Sequence, residues 1–136
     1  MSDLIPYLVF PGTAEEALHF YIKALGGEMI SLARMGDQDP SMPENEKNRV
    51  MHAIISICGA QVMASDGRSS DTITSGNNIS ISLNFHTMDA IEKAFNNMSA
   101  GSNITMPLQD TFWGARFGML TDKYGINWMF NHDIKQ

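Results

Sequence analysis

One cysteine, Cys58, stands alone among 136 residues, so no internal disulfide forms and a disulfide-stapled scaffold is excluded. Cations are scarce as well. Nine Lys and Arg face 15 Asp and Glu, a formal net charge of −6. Nucleic-acid binding needs clustered cations to displace counterions, so no nucleic-acid partner is expected. No apolar run approaches the roughly 18 residues of a membrane span, and no cationic stretch precedes an apolar one at the N-terminus. The chain therefore reads as cytoplasmic, with no membrane partner. GxGxxG, a P-loop, GxSxG and CxxC are all missing. What is present is 43% hydrophobic residues, enough for a core and too many for wholesale disorder, and 11 methionines, many for this length.

Two helices stand out. Residues 13–27, TAEEALHFYIKALGG, open with Thr13 and Glu16 at capping-box spacing. Ala17, Phe20, Tyr21, Ala24 and Leu25 share a helical face, and Gly26-Gly27 supplies the stop. Residues 87–100, TMDAIEKAFNNMSA, place Ile91, Ala94, Phe95 and Met98 on one face before Gly101. Each helix follows a strand-like run (LIPYLVF, NISISLNF), and three more follow each helix: EMISLARM, VMHAIISI and QVMASD, then NITMPLQ, RFGMLT and INWMFN.

The halves correspond. An offset of 74 residues carries Thr13 to Thr87, Ala17 to Ile91, Tyr21 to Phe95 and Gly27 to Gly101. Near the module ends the offset falls to 66, from Gly59 to Gly125, so the first half holds extra residues, assigned to a long loop at 36–49 between EMISLARM and VMHAIISI. The expectation is one domain over 1–136, built from a first βαβββ module at 1–66, a linker at 67–78 and a second module at 79–136.

A doubled strand-helix-three-strand unit resembles the vicinal oxygen chelate superfamily, which includes glyoxalase I, bleomycin-resistance proteins and extradiol dioxygenases. The stretches IPYLVFPGTAEEALHFYIKALGGE, VMHAIISICGAQVMASDG and DTFWGARFGMLTDKYGINWMFN are similar to its PhnB-like branch, sometimes labelled 3-demethylubiquinone methyltransferase-like. The resemblance implies an α+β fold in which the two modules form a curved mixed sheet around a cup. It also implies a metal held by the first and last strands of both modules, and a homodimer. The positions it designates here are Tyr7 (or its neighbour Pro6), Met63, Ser80 and Met129. Metal-binding members use His, Gln or Glu there. Phenol, thioether and hydroxyl groups suit a hard or borderline divalent ion poorly, so no metal and no cofactor is expected.

Strand alternation describes the expected cup. Ile79, Ile81, Leu83 and Phe85 should pack on the helices, with Ser80, Ser82 and Asn84 opposite. Trp128 and Phe130 should be core, leaving Asn127, Met129 and Asn131 on the other face; Gln61, Met63 and Ser65 fall together. A wall of thioethers, hydroxyls and amides suits a neutral or weakly polar organic ligand better than a phosphate. His52, sharing a strand face with Ile54 and Ser56, either joins this pocket or is a partly buried histidine bonding a backbone carbonyl. Phe112 and Trp113 either close over a planar ligand or seal a dimer seam, and Arg116 either holds a carboxylate or pairs with Asp110. Cys58 reads as a buried small hydrophobe, and His132 as part of a frayed terminal strand.

A Rossmann-type methyl-donor site needs a glycine-rich strand-to-helix turn, and here PGT leads straight into a helix, so methyl transfer is rejected. Two functions stay open: a module that binds a small organic molecule without a metal, or a metal-dependent lyase, isomerase or dioxygenase-like enzyme with non-standard ligands.

Overall fold

The computed structural model describes residues 1–134; positions 135–136 of the expected second module lie outside them. The chain divides into two compact units, Met1–Thr74 and the part from Ser75 onward.

The first unit runs β1 (Tyr7–Phe10), α1 (Ala14–Leu25), β2 (Gly27–Arg34), a 3-10 turn (Met35–Asp37), α2 (Glu44–Lys47), β3 (Val50–Ile57) and β4 (Ala60–Asp66). The stretch expected as a plain loop thus contains two short helical turns. Its sheet has the order β1-β4-β3-β2, with β1 parallel to β4 and the other pairs antiparallel. Alternate residues Ala53, Ile55 and Ile57 on β3 and Val62 and Ala64 on β4 are buried. They lie under α1, which buries Ala14, Ala17, Leu18, Tyr21 and Ala24. Leu18, rather than Phe20, completes that stripe, because positions 14, 17, 18, 21 and 24 follow the i, i+3, i+4 rule of a helix seated on a sheet.

The start of α1 departs from expectation. Thr13 sits at the N-cap with ψ of 14°, and its side chain makes no capping hydrogen bond. Buried Asp66, at the end of β4, supplies the acceptors instead: Oδ1 takes Gly12 N–H at 3.0 Å and Ala14 N–H at 2.9 Å, while Oδ2 takes Val50 N–H at 2.9 Å. One tertiary carboxylate therefore satisfies donors at the helix entrance and at the head of β3. At the other end of the helix, Gly26 takes φ of +77°, and a Cβ on Gly27 would lie 2.0 Å from the Ser56 carbonyl oxygen. The first glycine serves the turn; the second lets β2 approach β3.

The second unit runs β5 (Ile81–Asn84), α3 (Met88–Met98), β6 (Asn103–Asp110), β7 (Ala115–Thr121) and β8 (Asn127–Asp133), with sheet order β5-β8-β7-β6 and β5 parallel to β8. The arrangement repeats that of the first unit. Here Thr87 does cap its helix, its Oγ1 accepting Ala90 N–H at 3.1 Å. Ile91, Ala94, Phe95 and Met98 of α3 are buried, as are Leu83, Leu120, Trp128 and Phe130 of the sheet. Phe95 meets Phe130 edge to face at 5.0 Å between ring centroids. Each such side chain contributes roughly 1.5–3 kcal/mol of burial energy. Gly118 makes room for them: a Cβ there would lie 2.7 Å from the Phe95 ring. Pro107 is confined to β6, an edge strand, where its missing N–H breaks no ladder between two neighbours. Ile79 does not join the core. It precedes β5 and is 77% exposed, because the parallel pairing with β8 begins only at Ile81.

Candidate functional site

In each unit the helix covers one face of the sheet and leaves the other uncovered, and pairing register fixes which residues share the uncovered face. In the first unit one row crosses all four strands: Ser31 on β2, Ile54 on β3, Met63 on β4 and Tyr7 on β1. His52 lies two residues from Ile54 on the same face, paired with Ala33. Its Nδ1 lies 3.3 Å from the Tyr7 hydroxyl, with ring centroids 5.8 Å apart. Tyr7 is 49% exposed and His52 and Met63 are half-buried. Three residues separated by up to 56 positions thus form one surface: an imidazole, a phenol and a thioether. Pro6 precedes β1 and contributes only its carbonyl, which accepts the Met63 N–H at 2.9 Å.

In the second unit the equivalent row is Ser82 on β5, Met129 on β8, Met119 on β7 and Met106 on β6. Tyr7 faces Met63 as Ser82 faces Met129, so Ser82, not Ser80, is the register counterpart of Tyr7. Ser80 stands just before the strand. Asn84 and Asn131 pair on the same face, Asn131 Nδ2 donating to Asn84 Oδ1 at 2.8 Å and to Asp133 Oδ1 at 3.1 Å. Met106 and Met119 escaped the sequence reading. Period two within RFGMLT marks Met119, but β6 shifts register on both sides of Met106, so only pairing across β6, β7 and β8 aligns Met106 with Met119 and Met129.

Phe112 and Trp113 occupy the turn between β6 and β7, 97% and 57% exposed, and touch edge to face at 5.1 Å. Trp113 also meets Phe117 at 6.1 Å. Phe117 pairs with Asn131, so this aromatic chain leads onto the uncovered face. Arg116 is engaged by two carboxylates, Asp110 at 3.0 Å and Glu92 at 3.3 Å, which makes it a link between β7, β6 and α3.

Two other expectations are corrected. His132 is not on a frayed end. It is buried within β8, and its Nδ1 lies 3.0 Å from the Phe85 carbonyl oxygen. Cys58 is not core. It is exposed in the two-residue turn between β3 and β4, with φ of +50° beside Gly59 at +74°. Partial burial of its sulfur nevertheless pushes the thiol pKa up from the ordinary value. His19, on α1, and His86, between β5 and α3, are exposed.

The positions designated by the resemblance carry a phenol (Tyr7), a hydroxyl (Ser80, or Ser82 by register) and two thioethers (Met63, Met129). Among the described residues no three His, Cys, Asp or Glu side chains cluster as ligands. This donor set does not fit a divalent Zn, Mn or Fe ion, which takes imidazole and carboxylate.

Residues 2–130 match a family model described as 3-demethylubiquinone-9 3-methyltransferase. The chain belongs to this PhnB-like family. Protein YjdN of Escherichia coli K12 is 30% identical over 94% of this chain and 93% of its own length. Among solved structures, protein PA1353 from Pseudomonas aeruginosa superposes with a TM-score of 0.86 at 35% identity, covering 98% of both chains. A putative 3-demethylubiquinone-9 3-methyltransferase, PhnB protein, from Bacillus cereus gives a TM-score of 0.82 at 27% identity, covering 96% of this chain and 99% of that one. The α+β arrangement of two βαβββ modules is the glyoxalase/bleomycin-resistance-like fold of the vicinal oxygen chelate superfamily. PhnB-like membership carries no established reaction, and fold alone does not confer one.

Proposed function

We propose that this PhnB-like protein binds a small neutral or weakly polar organic molecule on the uncovered sheet faces, without a family-type divalent metal. The observation that carries the reading is the Tyr7–His52 contact beside Met63: two hydrogen-bonding groups held 3.3 Å apart on a partly apolar face. Such a surface offers one donor-acceptor pair for orientation and polarisable apolar area for affinity. On the second module's own sheet, Ser80, Ser82 and Met129, with Phe112 and Trp113, are the residues assigned to ligand binding. The linker at 67–78 joins the two modules, the chain acts in the cytoplasm, and it forms a homodimer. No described helix is long and apolar enough to cross a membrane. A Rossmann-type methyl donor is not part of this reading, since each sheet has one parallel pair and none of the repeated crossovers that build such a site.

Mass spectrometry of small molecules released from the protein purified under native conditions tests the proposal. An organic molecule recovered in stoichiometric amount, and lost from the Tyr7→Phe/His52→Ala double variant, is the expected result. A stoichiometric divalent ion whose removal abolishes a measured turnover would instead establish the metal-dependent lyase, isomerase or dioxygenase-like alternative.

A further inference from the structure

We propose that Met106, Met119 and Met129 form a binding site for a soft monovalent metal ion, copper(I), on the uncovered face of the second sheet. Met106 pairs with Met119 and Met119 with Met129, so the three thioethers stand on three adjacent strands in one row. Neighbouring strands lie about 4.8 Å apart, and a methionine side chain has three rotatable bonds, so the outer two can lean over the central one toward a shared ion. All three residues are half-buried rather than sunk in the core, which keeps their sulfurs reachable.

The chemistry of the row selects the ion. Thioether sulfur is a soft, uncharged donor that favours d¹⁰ monovalent ions over hard or borderline divalent ones. The fourth member of the row, Ser82, brings a hydroxyl and no carboxylate. The row departs from the superfamily's imidazole and carboxylate chemistry in the direction of softness. In the first module the corresponding row holds a single thioether, Met63, between Ile54 and Tyr7, so the site belongs to one module only. The organic-ligand reading is carried by the Tyr7–His52 contact of the first module, and it shares only Ser82 and Met129 with this row.

Silver(I), a redox-inert stand-in for copper(I), is the probe, titrated in chloride-free buffer into the Cys58→Ser protein so that the one thiol does not capture it. Native mass spectrometry is expected to show one bound ion. Methyl-¹³C methionine spectra are expected to show shifts concentrated on Met106, Met119 and Met129. Met119→Leu, close to isosteric, is expected to weaken binding by about tenfold or more. Loss of all silver binding on removing Cys58, or shifts spread over other methionines, would overturn the proposal. So would unchanged affinity in a Met119→Leu variant with native-like thermal unfolding. The spectra of the Cys58→Ser protein decide the matter alone if that variant does not fold.

Discussion

The two modules repeat one chain path yet secure it by different chemistry. At the helix entrance, the first module uses buried Asp66 to accept three amide N–H groups from Gly12, Ala14 and Val50. At the matching place on its last strand the second module carries His132, whose ring meets one carbonyl, Phe85, while Thr87 caps the helix locally. The β-hairpin turns differ in the same way. Cys58-Gly59 closes the first in two residues, both at positive φ. The second takes five, 122–126, organised by Asp122, whose Oδ1 accepts the Tyr124 and Ile126 amides and whose Oδ2 accepts Trp128 Nε1–H at 2.8 Å. Repetition preserved the topology, and each copy found its own partners for the backbone groups that the topology leaves over.

The sharpest way to break the comparison is Asp66→Ala. It strands three amide donors at once, and we expect a loss of about 3–5 kcal/mol in urea denaturation. His132→Ala removes one bond and some packing, and should cost about 1–2 kcal/mol by the same measurement. Equal losses would show that the modules rely on these positions alike.

Gly118→Ala tests the packing of the second module. The new Cβ would meet the Phe95 ring at 2.7 Å and the Leu108 backbone at 3.1 Å, so we expect about 1–3 kcal/mol of destabilisation, read as a lowered Tm.

A smaller effect separates the modules by charge. Arg34 grips Glu15 with two bonds of 2.9 Å, tying β2 to α1, and this hydrogen-bonded pairing lowers the Glu15 pKa. A lowered folded-state pKa adds stability that is present above the unfolded carboxylate's value and lost as pH falls through the folded one. The pair is partly exposed and screened, so Glu15→Gln should cost about 0.5 kcal/mol at neutral pH and nothing in acid.

The turn of the first module predicts a gain. Cys58→Asn relieves a non-glycine residue at φ of +50° and should stabilise by about 0.5–1 kcal/mol. In the unsubstituted protein, the raised thiol pKa makes alkylation of Cys58 slow near neutrality and progressively faster as pH rises past the ordinary thiol value. A rate already at its plateau at pH 7 would contradict the assignment.

Much of this was legible without coordinates. The amphipathic stripes of α1 and α3, the alternation of β3, β4, β7 and β8, and the offsets joining the halves carry the fold, because local periodicity reports which face is buried. The faces of Met63, Met129, Trp128 and Phe130 followed from the same alternation. Strand ends did not: alternation begins at Ile79, but pairing begins at Ile81. The choice of Ser82 over Ser80 as the partner of Met129 is likewise a matter of register, which two isolated strands leave open.

By itself the sequence determined the module, its repetition and the chemical types on each strand face, since these follow from the order and period of apolar residues. Only the tertiary structure decided which side chains meet. Tyr7 reached His52, three methionines fell into one row, Asp66 replaced the expected Thr13 cap, and Cys58 moved from the core to a strained turn. Each of these depends on register or on contacts between residues distant in the chain. A strand's pattern names its faces, but its neighbours on the sheet are chosen by hydrogen bonds that form only on folding.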